Sequence, residues 1–290
     1  MKAWLPWTDR QGRFSPLRAA TFALLLVPAL LLLYAAWMHQ LGSKPWTQAI
    51  HQTGTWAVRI LIITLAVSPF RRLFDWGKLI GIRRMLGLGV MAYALGHLAL
   101  YCIDTAFDWG LIVSEIVKRF YLTIGFIALI GLSALGATST DGMIRRLGKD
   151  WQRLHNLVYP IAMLALLHFA LQSKIDVTEP VLTSGLFLLL MLYRGLYRWK
   201  LPVSVPGLAG IALVGGLLTA GLEAGWYAAT SGVSAWLVLQ ANSDILTYQD
   251  YASLRPAHWV AFAGLLVAFG HGLRARKPRP PRQARQPAVA

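Results

Sequence analysis

Eight apolar stretches, each close to the length that crosses a lipid bilayer, divide this chain. A helix that rises about 1.5 Å per residue needs roughly 20 predominantly apolar residues to cross the hydrocarbon core. Of the 290 residues, 56% are hydrophobic and 14% are charged, which is typical of membrane proteins with many spans. The sequence therefore predicts an all-α, polytopic membrane helix bundle. The predicted spans are residues 19–38, 54–70, 83–103, 119–137, 153–173, 181–199, 206–222 and 256–273.

The first stretch has two interpretations, a secretory signal or a retained anchor. The core of a signal has about 7–15 apolar residues and is followed by a cleavage site of small residues. The stretch at 19–38 is longer, and it ends in Trp37, Met38 and His39. We therefore expect it to be retained as the first span.

Basic residues lie mainly in alternate loops, and this pattern orients the predicted bundle. With the N-terminus inside, 22 of the 28 Lys and Arg residues fall in the cytoplasmic segments. The positive-inside rule then predicts a multi-pass membrane protein with both termini in the cytoplasm. Anionic lipid on the inner leaflet accounts for the net charge of +16, so no nucleic-acid partner is needed.

The stretches fall into a block of six and a later pair, separated by a segment that contains Pro202 and Pro206. A long loop is predicted at 223–255, carrying Glu223, Asp244 and Asp250, and no internal repeat is visible. The tail is rich in Pro, Arg and Gln and is expected to be disordered. The predicted parts are a cytoplasmic N-terminus (1–18), a six-span core (19–200), a two-span C-terminal extension (201–273) and a basic tail (274–290).

Three histidines, His97, His155 and His168, lie within the apolar stretches of the predicted core. A neutral imidazole at that depth needs a partner, and two imidazoles that face each other across a bundle can serve as axial ligands of b-type haem iron. His97 lies 13 residues beyond Arg84, and His168 lies 15 residues beyond Arg153. These separations correspond to depths of about 20 and 22 Å. Matching depth makes His97 and His168 the predicted pair of haem ligands.

His155 differs from that pair because it lies near the cytoplasmic surface. The matching depth on the third span, around Arg83 to Leu86, has no histidine, so a second haem there lacks an obvious second ligand. Thirteen residues rotate an ideal helix by about 140°, so His155 and His168 share one face only if Pro160 kinks the helix. The sequence leaves the number of haems, one or two, open.

Arg59 and a set of glycines each have two interpretations. Arg59 lies near the outer end of the second span, close to the level of His97 and His168. Its guanidinium would pair with a haem propionate or extend to the nearby interface. The glycines would admit a flat macrocycle or simply let helices pack closely. They are Gly87, Gly89, Gly96, Gly125, Gly131 and Gly136.

The remaining histidines lie near the ends of predicted spans. His258 and His271 are in the last span, where a structural role and a cofactor role are both open. His39 and His51 flank the first outer loop and are expected to be solvated.

Several kinds of redox and nucleotide site are missing from the sequence. Cys102 is the single cysteine, which excludes an intramolecular disulfide and a cysteine-ligated cluster. No Walker A motif is present. No series of Asp and Glu residues runs through the spans, as a proton pump would need. A haem in this chain must therefore receive electrons from a quinol or another protein and pass them to a partner. The chain would have no substrate-reducing centre of its own.

Several motifs occur in the order found in one family of bacterial membrane proteins. They are 53–61 (TGTWAVRIL), 68–72 (SPFRR), 83–88 (RRMLGL) with His97 and Tyr101, 138–140 (TST), and 147–159 (LGKDWQRLHNLVY) with His168. Over about residues 15–200, the chain resembles the MsrQ (YedZ) family of the ferric-reductase-like transmembrane group.

The resemblance implies a function and a set of cofactors. It implies the haem b-binding membrane subunit of a bacterial MsrPQ system, with FMN as a further cofactor and His97, His155 and His168 as haem-associated positions. Electrons from the quinone pool or a cytosolic flavin reductase would pass through it to a periplasmic molybdopterin enzyme that reduces methionine sulfoxide in oxidised proteins. Residues 201–290 extend beyond the usual length of the family.

Two other functions remain open on the sequence. A self-contained ferric or quinone reductase would reduce iron chelates without a partner protein, although the chain has no dehydrogenase domain. A haem-free scaffold protein of the inner membrane would be colourless when purified from haem-sufficient cells.

Overall fold

The computed structural model describes residues 5–9, 11–174, 176–244 and 254–275. Within these residues the chain forms twelve α-helices and one short 3-10 helix, Gly77–Gly81, and an isolated β-bridge joins Thr8 to Phe14. The α-helices are α1 Pro16–Trp37, α2 Pro45–Leu73, α3 Arg83–Asp104, α4 Trp109–Lys118, α5 Phe120–Ala137, α6 Asp141–Leu147, α7 Lys149–His155, α8 Val158–Gln172, α9 Thr178–Arg198, α10 Val205–Ser231, α11 Ala235–Ser243 and α12 Pro256–Ala275.

All eight predicted spans are present as helices long and apolar enough to cross a membrane, with α7 and α8 together making the fifth. The all-α, polytopic fold is therefore confirmed. Two spans are longer than predicted, since α2 begins at Pro45 and α10 continues to Ser231. Pro45 and Pro206 lie in the first turns of these helices, where a missing N–H costs no hydrogen bond.

The prediction of a long loop at 223–255 is wrong for its first part, which is helical. Glu223 lies inside α10 with only 4% of its side chain exposed, and residues 235–243 form α11. A buried carboxylate is tolerated there because Arg255 donates from Nη2 to Glu223 Oε1 at 2.7 Å. Asp244 directly follows α11, whereas Asp250 and the tail beyond 275 lie outside the described residues.

A proline in α1 interrupts the backbone hydrogen bonds, and a tyrosine from α3 repairs the break. Pro28 lies in the middle of α1, where its ring disturbs the preceding turn. The Tyr93 hydroxyl accepts from the Ala29 N–H at 3.0 Å and donates to the Leu25 carbonyl at 2.7 Å. The hydroxyl is thus inserted between two groups that would otherwise bond to each other in a regular helix. This contact attaches α1 to α3.

A second proline explains a half-buried arginine. Pro69 in α2 has no N–H to donate to the carbonyl four residues earlier, which belongs to Leu65. Arg194 of α9 donates from Nη2 to that carbonyl at 2.7 Å, and its guanidinium lies 4.9 Å from the centre of the Tyr159 ring. An arginine inside a span is therefore held by a carbonyl that the proline leaves free.

Charge distinguishes the two ends of the bundle. The end that we call the basic end carries the N-terminal segment and the close of α12, where Arg274 donates from Nη2 to the Asp75 carbonyl at 3.2 Å. The opposite end carries the start of α2, the close of α3, all of α4 and the start of α9. The arginines that define the basic end are Arg71, Arg72, Arg83, Arg84, Arg145 and Arg146.

Four helices form the centre of the bundle as two antiparallel pairs, α2 with α3 and α5 with α8. One hydrophobic cluster joins them to α9, α10 and α12, with Val90 and Leu61 almost fully buried. The outer surface is apolar as well, with large exposed side chains such as Leu30 and Leu217, as expected where helices face lipid.

The last two spans pack against α9 through small residues. A Cβ added to Gly216 of α10 would lie 3.0 Å from the Ala261 Cβ of α12, and one added to Gly215 would lie 3.1 Å from Leu189 of α9. Small residues allow membrane helices to approach closely. The His271 Nδ1 of α12 bonds to the carbonyl of Leu73, the last residue of α2, at 2.8 Å. These spans therefore contact the preceding helices at α9 and at the end of α2.

Candidate cofactor site

The structure brings His97 of α3 and His168 of α8 together in the centre of the bundle. Their ring centroids are 6.3 Å apart, and the ring planes are inclined by 82°. Both residues are half-buried, and both lie towards the opposite end of the bundle. The two histidines at matching depth therefore face each other.

The backbone fixes which nitrogen of each imidazole carries the proton. His97 Nδ1 lies 2.8 Å from the Ile50 carbonyl, and His168 Nδ1 lies 2.8 Å from the Tyr121 carbonyl. A carbonyl only accepts, so each Nδ1 carries the proton and donates it. The remaining nitrogen, Nε2, then has a free lone pair, which is the arrangement found in histidines that bind metals.

A glycine makes room for each imidazole. A Cβ added to Gly54 of α2 would lie 3.1 Å from His97 Nδ1, and one added to Gly125 of α5 would lie 2.7 Å from His168 Nδ1. Because these contacts are so close, a larger residue at either position would displace the ring. For Gly125 the sequence left open a cofactor or close helix packing, and the structure places it against the imidazole of His168.

The two halves of the site are built alike. In each half the histidine bonds to a carbonyl 47 residues earlier in the sequence. Each carbonyl also lies one helical turn before the glycine that contacts the same ring, Ile50 before Gly54 and Tyr121 before Gly125. No repeat was visible in the sequence, and the role of Gly54 was not anticipated. The equal spacing from glycine to histidine was the available signal.

A cavity of about 400 Å³ lies between the four helices and contains both histidines. This volume falls within the range of about 300–1,000 Å³ that is typical of small-molecule and cofactor sites. Its inner wall is apolar, and its rim at the opposite end is polar. The inner wall contains Leu61, Val90, Ala128 and Leu132, and the rim contains Thr47, His51, Asp104, Glu115, Arg119, Gln172 and Ser173. We call it the two-histidine cavity.

The separation of the rings fits a metal held between them. Two imidazole nitrogens on opposite sides of one metal, each bond about 2.0 Å long, put the ring centroids roughly 6 Å apart. The observed value is 6.3 Å. Among the described residues, no group of three or more His, Cys, Asp or Glu could hold a metal. Two facing imidazoles at this separation suit a metal whose other ligands come from a cofactor, as in haem.

His155 lies apart from this pair, at the basic end. Its ring stacks on Trp151 at 3.9 Å, and its Nε2 lies 3.2 Å from the Thr138 Oγ1. It lines a larger cavity of about 1190 Å³, in which it is the one imidazole among the described lining residues. We call this the basic-end cavity. Its cationic lining residues are Arg13, Arg18, Lys78, Arg83, Arg84 and Arg194.

The helix that carries His155 and His168 is broken between them. α7 ends at His155 and α8 starts at Val158, so Asn156 and Leu157 form a turn. Pro160 has no N–H to donate to Asn156, the residue four positions earlier, which accounts for the break. A kink at Pro160 was the condition for the two imidazoles to share one face, but the break leaves them in different cavities.

Arg59 contacts a glutamate of the neighbouring span. It donates from Nε to Glu179 Oε1 at 2.7 Å, and its guanidinium lies 5.0 Å from the centre of the Trp56 ring. It does not line the two-histidine cavity. Glu179 was not anticipated as its partner, because it lies 120 residues away in the sequence.

The other histidines have backbone partners or lie at the surface. His258 accepts from the Arg255 N–H at 3.0 Å and donates to the Asn242 carbonyl at 2.8 Å, so both ring nitrogens are in use. His271 bonds to the end of α2, as described above. His39 and His51 are exposed, as expected.

The glycines singled out in the sequence differ in their surroundings. Gly89 faces Leu25 of α1, Gly131 faces Ile161 of α8, and Gly136 faces Met91 of α3, so these three let helices pack closely. Gly87 and Gly96 have open space where a Cβ would be.

Comparison with known proteins agrees with this architecture. Residues 19–166, about half of the chain, match the family described as ferric reductase like transmembrane component. This match defines the class of membrane protein to which the bundle and its two histidines belong. No solved structure matches the chain.

Curated relatives narrow the class. A protein of Xanthomonas campestris pv. campestris is 44% identical over 190 residues, covering 63% of this chain and 86% of the relative. One of Rhodospirillum rubrum is 42% identical over 190 residues, covering 64% and 88%, and one of Xanthomonas oryzae pv. oryzae is 46% identical over 161 residues, covering 55% and 72%. Each is named protein-methionine-sulfoxide reductase heme-binding subunit MsrQ. The chain belongs to the MsrQ family.

Proposed function

We propose that this chain is the haem-binding membrane subunit of a protein-methionine-sulfoxide reductase and transfers electrons through the membrane to it. The observation that carries the proposal is the pair of facing imidazoles, 6.3 Å apart, with Nδ1 of each ring bonded to a backbone carbonyl. The names of the curated relatives support it independently.

In this proposal His97 and His168 hold one haem b through their Nε2 atoms. The haem supplies reversible one-electron chemistry when bound. Both imidazoles stay neutral and oriented because Ile50 and Tyr121 accept their Nδ1 protons. The apolar wall formed by Leu61 and its neighbours would keep water away from a haem held there, which would favour electron transfer over side reactions.

The charges at the two ends of the bundle set its proposed orientation in the membrane, and with it the direction of electron transfer. The basic end faces the cytoplasm of a bacterial inner membrane under the positive-inside rule, so both termini are cytoplasmic. The two-histidine cavity then opens towards the periplasm. We infer that its rim delivers electrons to a periplasmic molybdopterin subunit of the MsrP type.

The basic-end cavity is the proposed point of electron entry, with His155 at its wall. It shares Leu61, Val90 and Leu132 with the two-histidine cavity, so one layer of apolar side chains separates the two. Its arginines suit an anionic or polar donor at the cytoplasmic side. The proposed donors are quinol and a cytosolic flavin reductase, with FMN or a second haem as the group held near His155.

The proposed division into a six-span core at 19–200 and a two-span extension at 201–273 assigns electron transfer to the first part. Both imidazoles of the proposed site, and the helices that position them, lie before residue 200. The extension supports the core through α9.

Purified full-length protein tests this proposal. We expect a b-type spectrum and, by pyridine haemochrome assay, at least one haem per chain. The reduced protein should be reoxidised by a periplasmic methionine-sulfoxide reductase only when methionine sulfoxide is present. A colourless, folded preparation from haem-sufficient cells would contradict haem binding. Equally fast reoxidation by ferric chelates alone would favour a self-contained ferric reductase.

A further inference from the structure

The two-histidine cavity is apolar on its inner wall and polar at its rim, and haem has a matching asymmetry. One edge of the macrocycle carries two propionate carboxylates, and the other edges are apolar. An ionised carboxylate in an apolar wall is costly unless it is paired. The inference below rests on the proposed function and concerns which side chain meets those carboxylates at the rim.

Arg59 was the sequence-based candidate, but its position argues against it. Its guanidinium is paired with Glu179 at 2.7 Å and stacked over Trp56, outside the lining of the cavity. Among the described lining residues, Arg119 is the one with a permanent positive charge.

Arg119 is held in place at the rim by its neighbours. It lies between α4 and α5, where it makes an ion pair with Glu115 Oε2 at 2.5 Å and donates from Nη1 to the Tyr121 hydroxyl at 3.1 Å. A guanidinium has five N–H donors in a planar fork. These two contacts leave donors available, and the side chain is 52% exposed, so a ligand can reach it.

The same short segment connects the rim to the metal ligand. The Tyr121 hydroxyl accepts from Arg119, and the Tyr121 carbonyl accepts from His168 Nδ1. The Tyr121 ring also lies nearly parallel to the His168 ring, with 6.5 Å between centroids. Tyr121 therefore positions both Arg119 and His168. This suits two side chains that contact the same rigid cofactor.

We propose that Arg119 binds a haem propionate at the rim of the two-histidine cavity. The first turn of α5 adds to this site, because the N-terminus of a helix favours negative charge. Binding at the rim directs the apolar edge of the macrocycle towards Leu61, Val90 and Leu132. Arg119 is thus a haem-binding residue, and Arg59 stabilises only the contact between α2 and α9.

The test compares Arg119→Gln with Arg59→Gln in purified, haem-loaded protein. Both variants remove one guanidinium that pairs with a glutamate at the same end of the bundle, but only one of the two lines the cavity. The measurements are the rate of haem transfer to apomyoglobin and the reduction midpoint potential. We expect Arg119→Gln to release haem about tenfold faster than wild type, because it loses one charge-assisted hydrogen bond to the haem. Its midpoint should fall, because a nearby cation favours the reduced haem.

Arg59→Gln should match the wild type in both measurements. Arg119→Lys keeps the positive charge but lacks the planar, five-donor group of arginine. Its midpoint potential should therefore stay near that of the wild type, while haem is released faster. It is the second variant to use if Arg119→Gln does not accumulate. Wild-type behaviour of Arg119→Gln, or an equal effect of Arg59→Gln, would overturn the assignment while leaving the proposed function intact. Wild-type protein without haem would contradict the proposed function, and this inference with it.

Discussion

The two cavities of this bundle are lined by different chemistry, although one apolar layer separates them. The two-histidine cavity contains two imidazoles whose Nδ1 atoms bond to backbone carbonyls and whose Nε2 atoms are free. The basic-end cavity contains one imidazole, His155, whose Nε2 already contacts Thr138, among several arginines. The first arrangement suits a metal held from both sides, and the second suits a negatively charged or polar molecule.

The three histidines differ in their local contacts as well as in their depth. His155 lines the basic-end cavity, whereas His97 and His168 line the two-histidine cavity. Their partners differ too. His97 and His168 each have a carbonyl that accepts the Nδ1 proton and a glycine beside the ring, whereas His155 is held by a stacked indole and a hydroxyl.

The largest difference between the cavities should appear on removal of single imidazoles. His97→Ala and His168→Ala should each abolish the low-spin haem signal, because the iron loses an axial ligand. His155→Ala should retain that signal and slow reduction by the cytoplasmic donor. The visible spectrum and haem content of the three variants test this, with His39→Ala as an exposed control. Full retention of low-spin haem by His97→Ala would break the proposed pairing.

The glycines beside the rings give a second, smaller contrast. Gly125→Ala would place a Cβ 2.7 Å from His168 Nδ1, and such overpacking costs about 1–3 kcal/mol of unfolding free energy. Gly54→Ala, at 3.1 Å from His97 Nδ1, should cost less. Gly96→Ala has open space around it and should be neutral or stabilising. Thermal unfolding of the three variants gives the order, and equal stability of Gly125→Ala and Gly96→Ala would contradict the close contact.

At the basic end, we expect Arg194→Gln to destabilise the fold by about 1–3 kcal/mol, because the Leu65 carbonyl loses its donor. Arg198→Gln, an exposed arginine one turn later, is the control and should change little. In a Pro69→Ala background the residue at 69 can donate to Leu65, so Arg194→Gln should then cost less. A double-mutant cycle measured by thermal unfolding detects this coupling, and strict additivity would refute it.

The smallest expected effect concerns Arg59. Its ion pair with Glu179 is partly exposed, with side-chain exposures of 40% and 34%. Pairs of this kind contribute about 0.2–1 kcal/mol. Glu179→Gln should therefore lower the unfolding free energy only slightly and leave the haem spectrum unchanged. A changed spectrum would show that the α2–α9 contact reaches the cofactor.

Much of the fold follows from the sequence because membrane spans have a simple physical signal. A run of apolar residues predicts each span, and all eight are present. The exceptions have local causes. The end of α10 was placed too early because a glutamate such as Glu223 is typical of a loop. Its partner Arg255, which neutralises it, lies 32 positions away in the sequence. The intramembrane role of Arg194 depends on Pro69, which lies on another helix.

The candidate site was predictable in part for the same reason. Helical rise alone puts His97 and His168 at one level, and the structure brings their rings together. The partners of the imidazoles could not be predicted by that method, because backbone carbonyls carry no side-chain signal. Ile50 and Tyr121 accept the Nδ1 protons through their main chains, so their side chains give no indication of that contact.

The most direct test of the central claim is the low-temperature electron paramagnetic resonance spectrum of the oxidised, purified protein. Two neutral imidazoles on one ferric haem give a low-spin signal, and nearly perpendicular ring planes, 82° apart here, make that signal highly anisotropic. We expect such a signal from wild type and its absence from His168→Ala. A wild-type spectrum dominated by high-spin iron would contradict ligation by His97 and His168 together.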